Sequence, residues 1–247
     1  SSGSNSATTG ISEKDQNYGQ DQILELKKVY HNNSFNYMTR VLVQFDLNET
    51  GNSISQSIVD GTITGPSFYL RLYEGEGTQE LSTEYTLDAI PISQSWDEGT
   101  GKFGDNPKVT NGVSWENRQN VPGATEVTWS SYAGNPLKET SSYGVATHSV
   151  SSSAQSFSYQ SADVELDISD MVKSWLSGST VGLPSGSQFD NNGVLLRFTG
   201  SQEESTNSDG SYTTGNLKFF SHNTHTIYPP KLEVRWDDSS SCTDAVT

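Results

Sequence analysis

Leu166-Asp167-Ile168-Ser169-Asp170-Met171-Val172-Lys173-Ser174-Trp175-Leu176-Ser177-Gly178 changes its period partway along. Ile168, Met171, Val172, Trp175 and Leu176 recur at i, i+3, i+4, i+7 and i+8, which is one apolar stripe of a helix. Just upstream, Val164, Leu166 and Ile168 alternate with Asp163, Glu165 and Asp167, the pattern of a half-buried strand. Asp167 or Ser169 can accept the free amides at the helix start, and Gly178 can supply a left-handed stop. A helix this short is unstable alone in water, so it has to pack as a plug against a sheet or sandwich. The spacing predicts one short amphipathic helix near residues 168–177 in a chain otherwise built of strands.

Outward from that segment, strand patterns dominate. Leu24 and Leu26 open the first. Val41, Val43, Phe45 and Leu47 face one way in the next, and Phe68, Leu70 and Leu72 alternate with Tyr69, Arg71 and Tyr73. Tyr85 to Ile92 makes another. Gly193-Val194-Leu195-Leu196-Arg197-Phe198 is apolar enough for a central strand. Lys218 to Ser221 and Leu232 to Trp236 close the set. Asn48 to Gly65 reads as loop, with Ile54, Ile58 and Ile63 as anchors. Residues 118–160 are the least periodic: Val127 and Trp129 suggest a strand, followed by a Ser/Tyr/Gly-rich excursion. Short strands with turn signals between them imply an all-β, antiparallel, jelly-roll-like sandwich, its one helix capping an open end. Residues 1–16 read as a polar arm, 17–237 as one sandwich domain and 238–247 as a polar tail.

The chain has 247 residues, 31% of them hydrophobic, and a formal net charge of −16. That acidity opposes attraction to nucleic-acid phosphates and anionic membranes. Cys242 is the only cysteine, so no internal disulfide can form. No apolar run approaches the roughly 20 residues that a spanning helix needs, so no membrane insertion is expected. The opening Ser1-Ser2-Gly3-Ser4-Asn5-Ser6-Ala7 carries neither the basic nor the apolar region of a signal peptide.

Candidate chemistry is sparse. Asp97 and Glu98, with Asp105 and Glu116, are of the type used as paired carboxylates in glycoside cleavage. Adjacent strand residues point to opposite faces, however, and with 30 acids in the chain coincidental clusters are expected. No nucleophile elbow brings Ser, His and Asp together. His222 and His225 would share a helix face, yet their segment reads as strand and turn before Tyr228-Pro229-Pro230, without further ligands. Gly99, Gly101 and Gly104 lack the lysine and following helix of a nucleotide loop and read as turn residues. Asp97, Glu98 and Asp105 beside them are oxygen ligands suited to Ca²⁺, the one cofactor considered. No catalytic, cofactor or other metal site is expected. Trp175, which sits on the helix stripe, is expected in the core. Trp129, Tyr132, Tyr143 and Tyr159 lie in the irregular excursion among Ser, Asn and Gly, which makes them the candidate contacts for a sugar ring or protein partner.

Several stretches, taken in order, resemble the DNRLRE-type β-sandwich domain, whose relatives include carbohydrate-binding modules. They are Asn17-Tyr18-Gly19, Arg40 to Leu47, Leu70-Arg71-Leu72-Tyr73, Ser95-Trp96-Asp97-Glu98-Gly99-Thr100 and Val113-Ser114-Trp115-Glu116-Asn117. The helix Asp167 to Gly178, Gly193-Val194-Leu195-Leu196 and Pro230-Lys231-Leu232-Glu233-Val234 complete the series. The ending, Phe219-Phe220-Ser221-His222-Asn223-Thr224-His225-Thr226-Ile227-Tyr228-Pro229-Pro230 up to Trp236-Asp237-Asp238-Ser239, looks like versions in virion structural proteins of tailed phages. Trp96, Trp115 and Trp175 coincide with core positions of that family, so the resemblance implies that they are buried. It further implies a non-catalytic virion protein, a head decoration or a neck or tail appendage. Its expected partners are other virion proteins in an oligomeric assembly, with capacity for a cell-surface glycan. The alternative it implies is a carbohydrate-binding module of a secreted or surface protein, which would be extracellular rather than virion-borne.

Overall fold

The computed structural model describes residues 15–31, 34–47, 50–76, 84–115, 117–124, 126–129, 153–158, 163–176, 190–199 and 215–237. Among the described residues the fold is mostly β, with every strand pair antiparallel and two helices. One sheet has the order β2 (Ser34–Met38), β1 (Ile23–His31), β12 (Gly215–Phe220), β5 (Glu74–Glu76). A second has the order β10 (Val164–Asp167), β4 (Thr64–Leu72), β13 (Lys231–Asp237). Only Tyr73 separates β4 from β5, so the two sheets form one bent layer. β12 and β13 lie end to end along the same side of that long strand, Phe219 opposite Glu74 and Lys231 opposite Arg71. The facing layer has the order β3 (Val41–Val43), β11 (Val194–Phe198), β6 (Glu84–Pro91), β9 (Ser153–Ser158). A small ribbon pairs β7 (Asn117–Gln119) with β8 (Val127–Thr128).

Period-2 alternation fills the space between the layers. Phe68, Leu70 and Leu72 of β4 meet Leu87 and Ala89 of β6 and Val194, Leu196 and Phe198 of β11 in one cluster. Every residue of β11 is buried, because its other face, with Leu195, packs against Ile90, Ile92 and Trp129 in a second cluster. That double burial is why residues 193–198 read as a continuous apolar run. Pro66 sits in β4 where the pairing with β13 slips by one residue, a place where a missing amide is tolerated.

The expected helix is α2 (Ser169–Leu176). Ile168, Met171, Val172 and Trp175 all enter the main cluster. Asp167 Oδ1 accepts the Ser169 amide at 2.9 Å, and Ser169 Oγ accepts the Phe68 amide at 2.9 Å, which bolts the helix start to β4. Gly178 lies outside the described residues.

The expectation of a single helix is corrected. Thr50–Val59, read as loop, is α1. It lacks a full apolar stripe, and among its described side chains Ile54 is the one anchored on the core. Ser57 Oγ bonds the Ser53 carbonyl at 2.9 Å, and Gly61 at φ 74° ends the helix, its amide reaching the Ile58 carbonyl. Gln16, the last residue of the arm expected over 1–16, is buried, as is Asn17 at the start of the expected sandwich.

Candidate functional site

Three of the stretches that carry the resemblance meet at one point. Asn17 is fully buried, and its Nδ2 donates to the carbonyls of Glu98 and Val113, each at 2.7 Å. Its Oδ1 accepts the amides of Gly19 at 3.0 Å and Gly101 at 2.8 Å, and its own amide donates to the Val109 carbonyl at 2.8 Å. A short carboxamide supplies two donors and a two-lone-pair acceptor at this reach; an aspartate lacks the donors and a glutamine is a methylene too long. The glycines follow from the crowding. Gly99 has φ 78°, and a Cβ there or at Gly101 would overlap Asn17 itself. The glycine-rich loop is therefore a clasp around Asn17.

The carboxylates beside it turn to separate partners. Asp97 Oδ1 accepts Gln119 Nε2 at 3.2 Å, Glu98 Oε1 faces His222 Nε2 at 3.4 Å, and Asp105 Oδ2 accepts the Lys102 amide at 2.7 Å. They are not brought together as a Ca²⁺ ligand set, and among the described residues no three His, Cys, Asp or Glu converge on one. Glu116 lies outside the described residues. His222 and His225 occupy an exposed turn. Asp21, whose two oxygens accept the Phe103 amide, is pushed above the ordinary carboxylate range by burial, with Asp105 and Glu25 adding to the rise and the Phe103 bond opposing it.

On this side the two layers part. A cleft of about 1970 Å³ runs between β1 and β3, walled by Leu24, Val43, Phe45 and Trp175, with Asp21 and His222 among the residues that line it. Trp175 Nε1 is buried here without a hydrogen-bond partner among the described residues. Over Trp115, the Arg40 guanidinium stands 4.8 Å from the ring centre.

A different surface lies on the outer face of β10-β4-β13. Arg235 lies 4.1 Å above the Tyr69 ring and bridges Glu165 at 2.8 Å and Glu233 at 2.6 Å. Arg71 pairs with Glu165 and lies 3.8 Å from Glu233. Beside them Tyr73 meets Tyr228 at 5.2 Å and Lys231 Nζ at 5.3 Å. The Arg235 bond holds Glu233 below the ordinary carboxylate range. In the sequence this lattice was visible only as the polar half of an alternation, without sign of which strands would adjoin.

Of the candidate contacts, Trp129 is only 3% exposed, packed with Ile90, Ile92 and Leu195, and its Nε1 donates to the Ser114 carbonyl at 3.3 Å. It belongs to the second core. Tyr132, Tyr143 and Tyr159 lie outside the described residues. Trp115 and Trp175 are buried, whereas Trp96 is half-buried and donates to the Asn192 carbonyl at 2.8 Å. No helix among the described residues is long and apolar enough to cross a membrane. Compared with models of known protein families, with curated proteins and with solved structures, the chain matches none.

Proposed function

We propose that this protein is a non-catalytic virion structural protein of a tailed phage, a β-sandwich displayed on the head, neck or tail. One observation carries the reading: the acidic, glycine-rich loop that offers most to chemistry is spent on clasping Asn17. Besides the cleft, the described surface presents the charged outer face of β10-β4-β13 and its strand edge, which suit docking. The ordered resemblance supports it, and the described part of the phage-like ending, Phe219 to Asp237, covers the end of β12, the turn after it and β13. The test is mass spectrometry and immunogold labelling of purified particles from the source phage. Stoichiometric amounts at one location are expected; absence from the particles overturns the reading.

The cleft favours a second reading, a carbohydrate-binding module. Its mixture of apolar wall and hydrogen-bonding rim is the chemistry of a sugar site. A glycan array on the whole chain tests it. Saturable binding at about millimolar strength or tighter, lost with Arg40→Ala, would favour the module.

A further inference from the structure

β13 is an edge strand whose other side is unpaired among the described residues. Not one of its seven residues is buried. Leu232 and Val234 touch the main core only in part, and Trp236, which follows them on the same face, is 47% exposed. An exposed, partly apolar edge of seven residues is a template for strand addition, and natural proteins usually blunt such an edge. Here the charges do something else.

The strand reads Lys231-Leu232-Glu233-Val234-Arg235-Trp236-Asp237. Placed antiparallel against an identical strand and centred on Val234, Lys231 falls opposite Asp237 and Glu233 opposite Arg235. On the inner face Leu232 falls opposite Trp236, and Val234 meets Val234. Every outward pair is then of opposite sign and every inward pair is apolar, the two combinations that stabilise neighbouring strands. We propose that β13 is the docking edge for a second copy of this chain, the two β13 strands pairing antiparallel about a two-fold axis through Val234. Such an isologous contact closes on itself and gives a dimer rather than a filament. In a chain of net charge −16, local pairing of this kind is what lets two like-charged molecules approach. The inference does not rest on the virion reading, and its test needs no particle.

Sedimentation equilibrium of the full chain from about 1 µM to about 1 mM measures the self-association. Lys231→Asp and Asp237→Lys each place like charges opposite one another at both ends of the paired strands. Each alone is expected to raise the dimer dissociation constant about tenfold or more. Mixed together, the two variants place Asp opposite Lys at both ends, and association is expected to return. Val234→Cys in a Cys242→Ser background should also cross-link chain to chain under mild oxidation, and circular dichroism confirms that each variant folds. A monomer throughout the range, a dimer indifferent to both charge variants, or no recovery on mixing would each overturn the proposal.

Discussion

Asn17 shows how much one buried side chain can organise. Its four side-chain hydrogen bonds join loops about 80 and 95 residues apart in the sequence. Asn17→Ala leaves two carbonyls and two amides without partners, so a loss of about 3 kcal/mol or more is expected in denaturant melts. Asn17→Asp turns two donors into acceptors that face carbonyls, and burial there raises the new carboxyl's pKa. A raised pKa means the folded state holds the proton more tightly, so the stability of that variant should recover as pH falls through its folded pKa. Tyr85 gives the alkaline counterpart. Its ring stacks on Phe157 at 5.1 Å, and its hydroxyl is buried without a partner among the described residues. Burial, with Glu74 adding to it, pushes the phenol from 10.0 up to about 12. The stability this contributes is complete below the unfolded value and is lost as pH rises toward about 12. Tyr85→Phe should remove that loss between the two values while leaving neutral-pH stability unchanged or slightly higher. A variant with the same alkaline profile would show that the hydroxyl does not titrate with unfolding.

Among the elements, α2 is the one whose packing is most exposed to test. Trp175→Ala should cost about 3–5 kcal/mol, the range for truncating a buried large aromatic, and a loss below about 1 kcal/mol would show that the stripe is not core. Trp175→Phe, which also removes an indole N–H that has no partner among the described residues, should cost less than the alanine variant. Elements with strong local signals were legible before the structure: α2 from its 3.6 period, β4 from its alternation, β11 from its unbroken apolar run. α1 was not, because Gly51, Asn52 and several serines are poor helix formers and Ile54, the one core anchor among its described side chains, leaves no stripe. What holds it is tertiary contact, which local pattern does not encode. The candidate site was legible in a different way. Asn17-Tyr18-Gly19 and Asp97 to Gly101 stood out as motifs, but nothing in their spacing said that one would clasp the other. Trp129 was misplaced for the same reason: an aromatic in an irregular stretch looks free until the ribbon β7-β8 folds it onto Ile90 and Ile92.

For the molecule as a whole, charge and layering set what it can do. A net charge of −16 repels itself within the fold, so salt up to about 0.5 M should raise the melting temperature by screening. The layers meet closely on the β9–β10 side and part on the β1–β3 side, where the domain's first described residues enter. That entry point determines what an N-terminal deletion does. Gln16 Nε2 donates to the Lys102 carbonyl at 3.2 Å, and Asn17 is the centre of the clasp, so the fold depends on the chain from Gln16 onward. Removing residues 1–14 takes away only Ile11 among strongly apolar side chains and should leave the melting temperature within a few degrees. Removing residues 1–17 deletes the clasp and should abolish cooperative unfolding. If the first fourteen residues act as a tether within a particle, the shorter truncation should bind particles lacking this protein with reduced occupancy although it is fully folded. Equal occupancy of truncated and full-length protein would rule out the tether and leave attachment to the strand edges and faces of the sandwich.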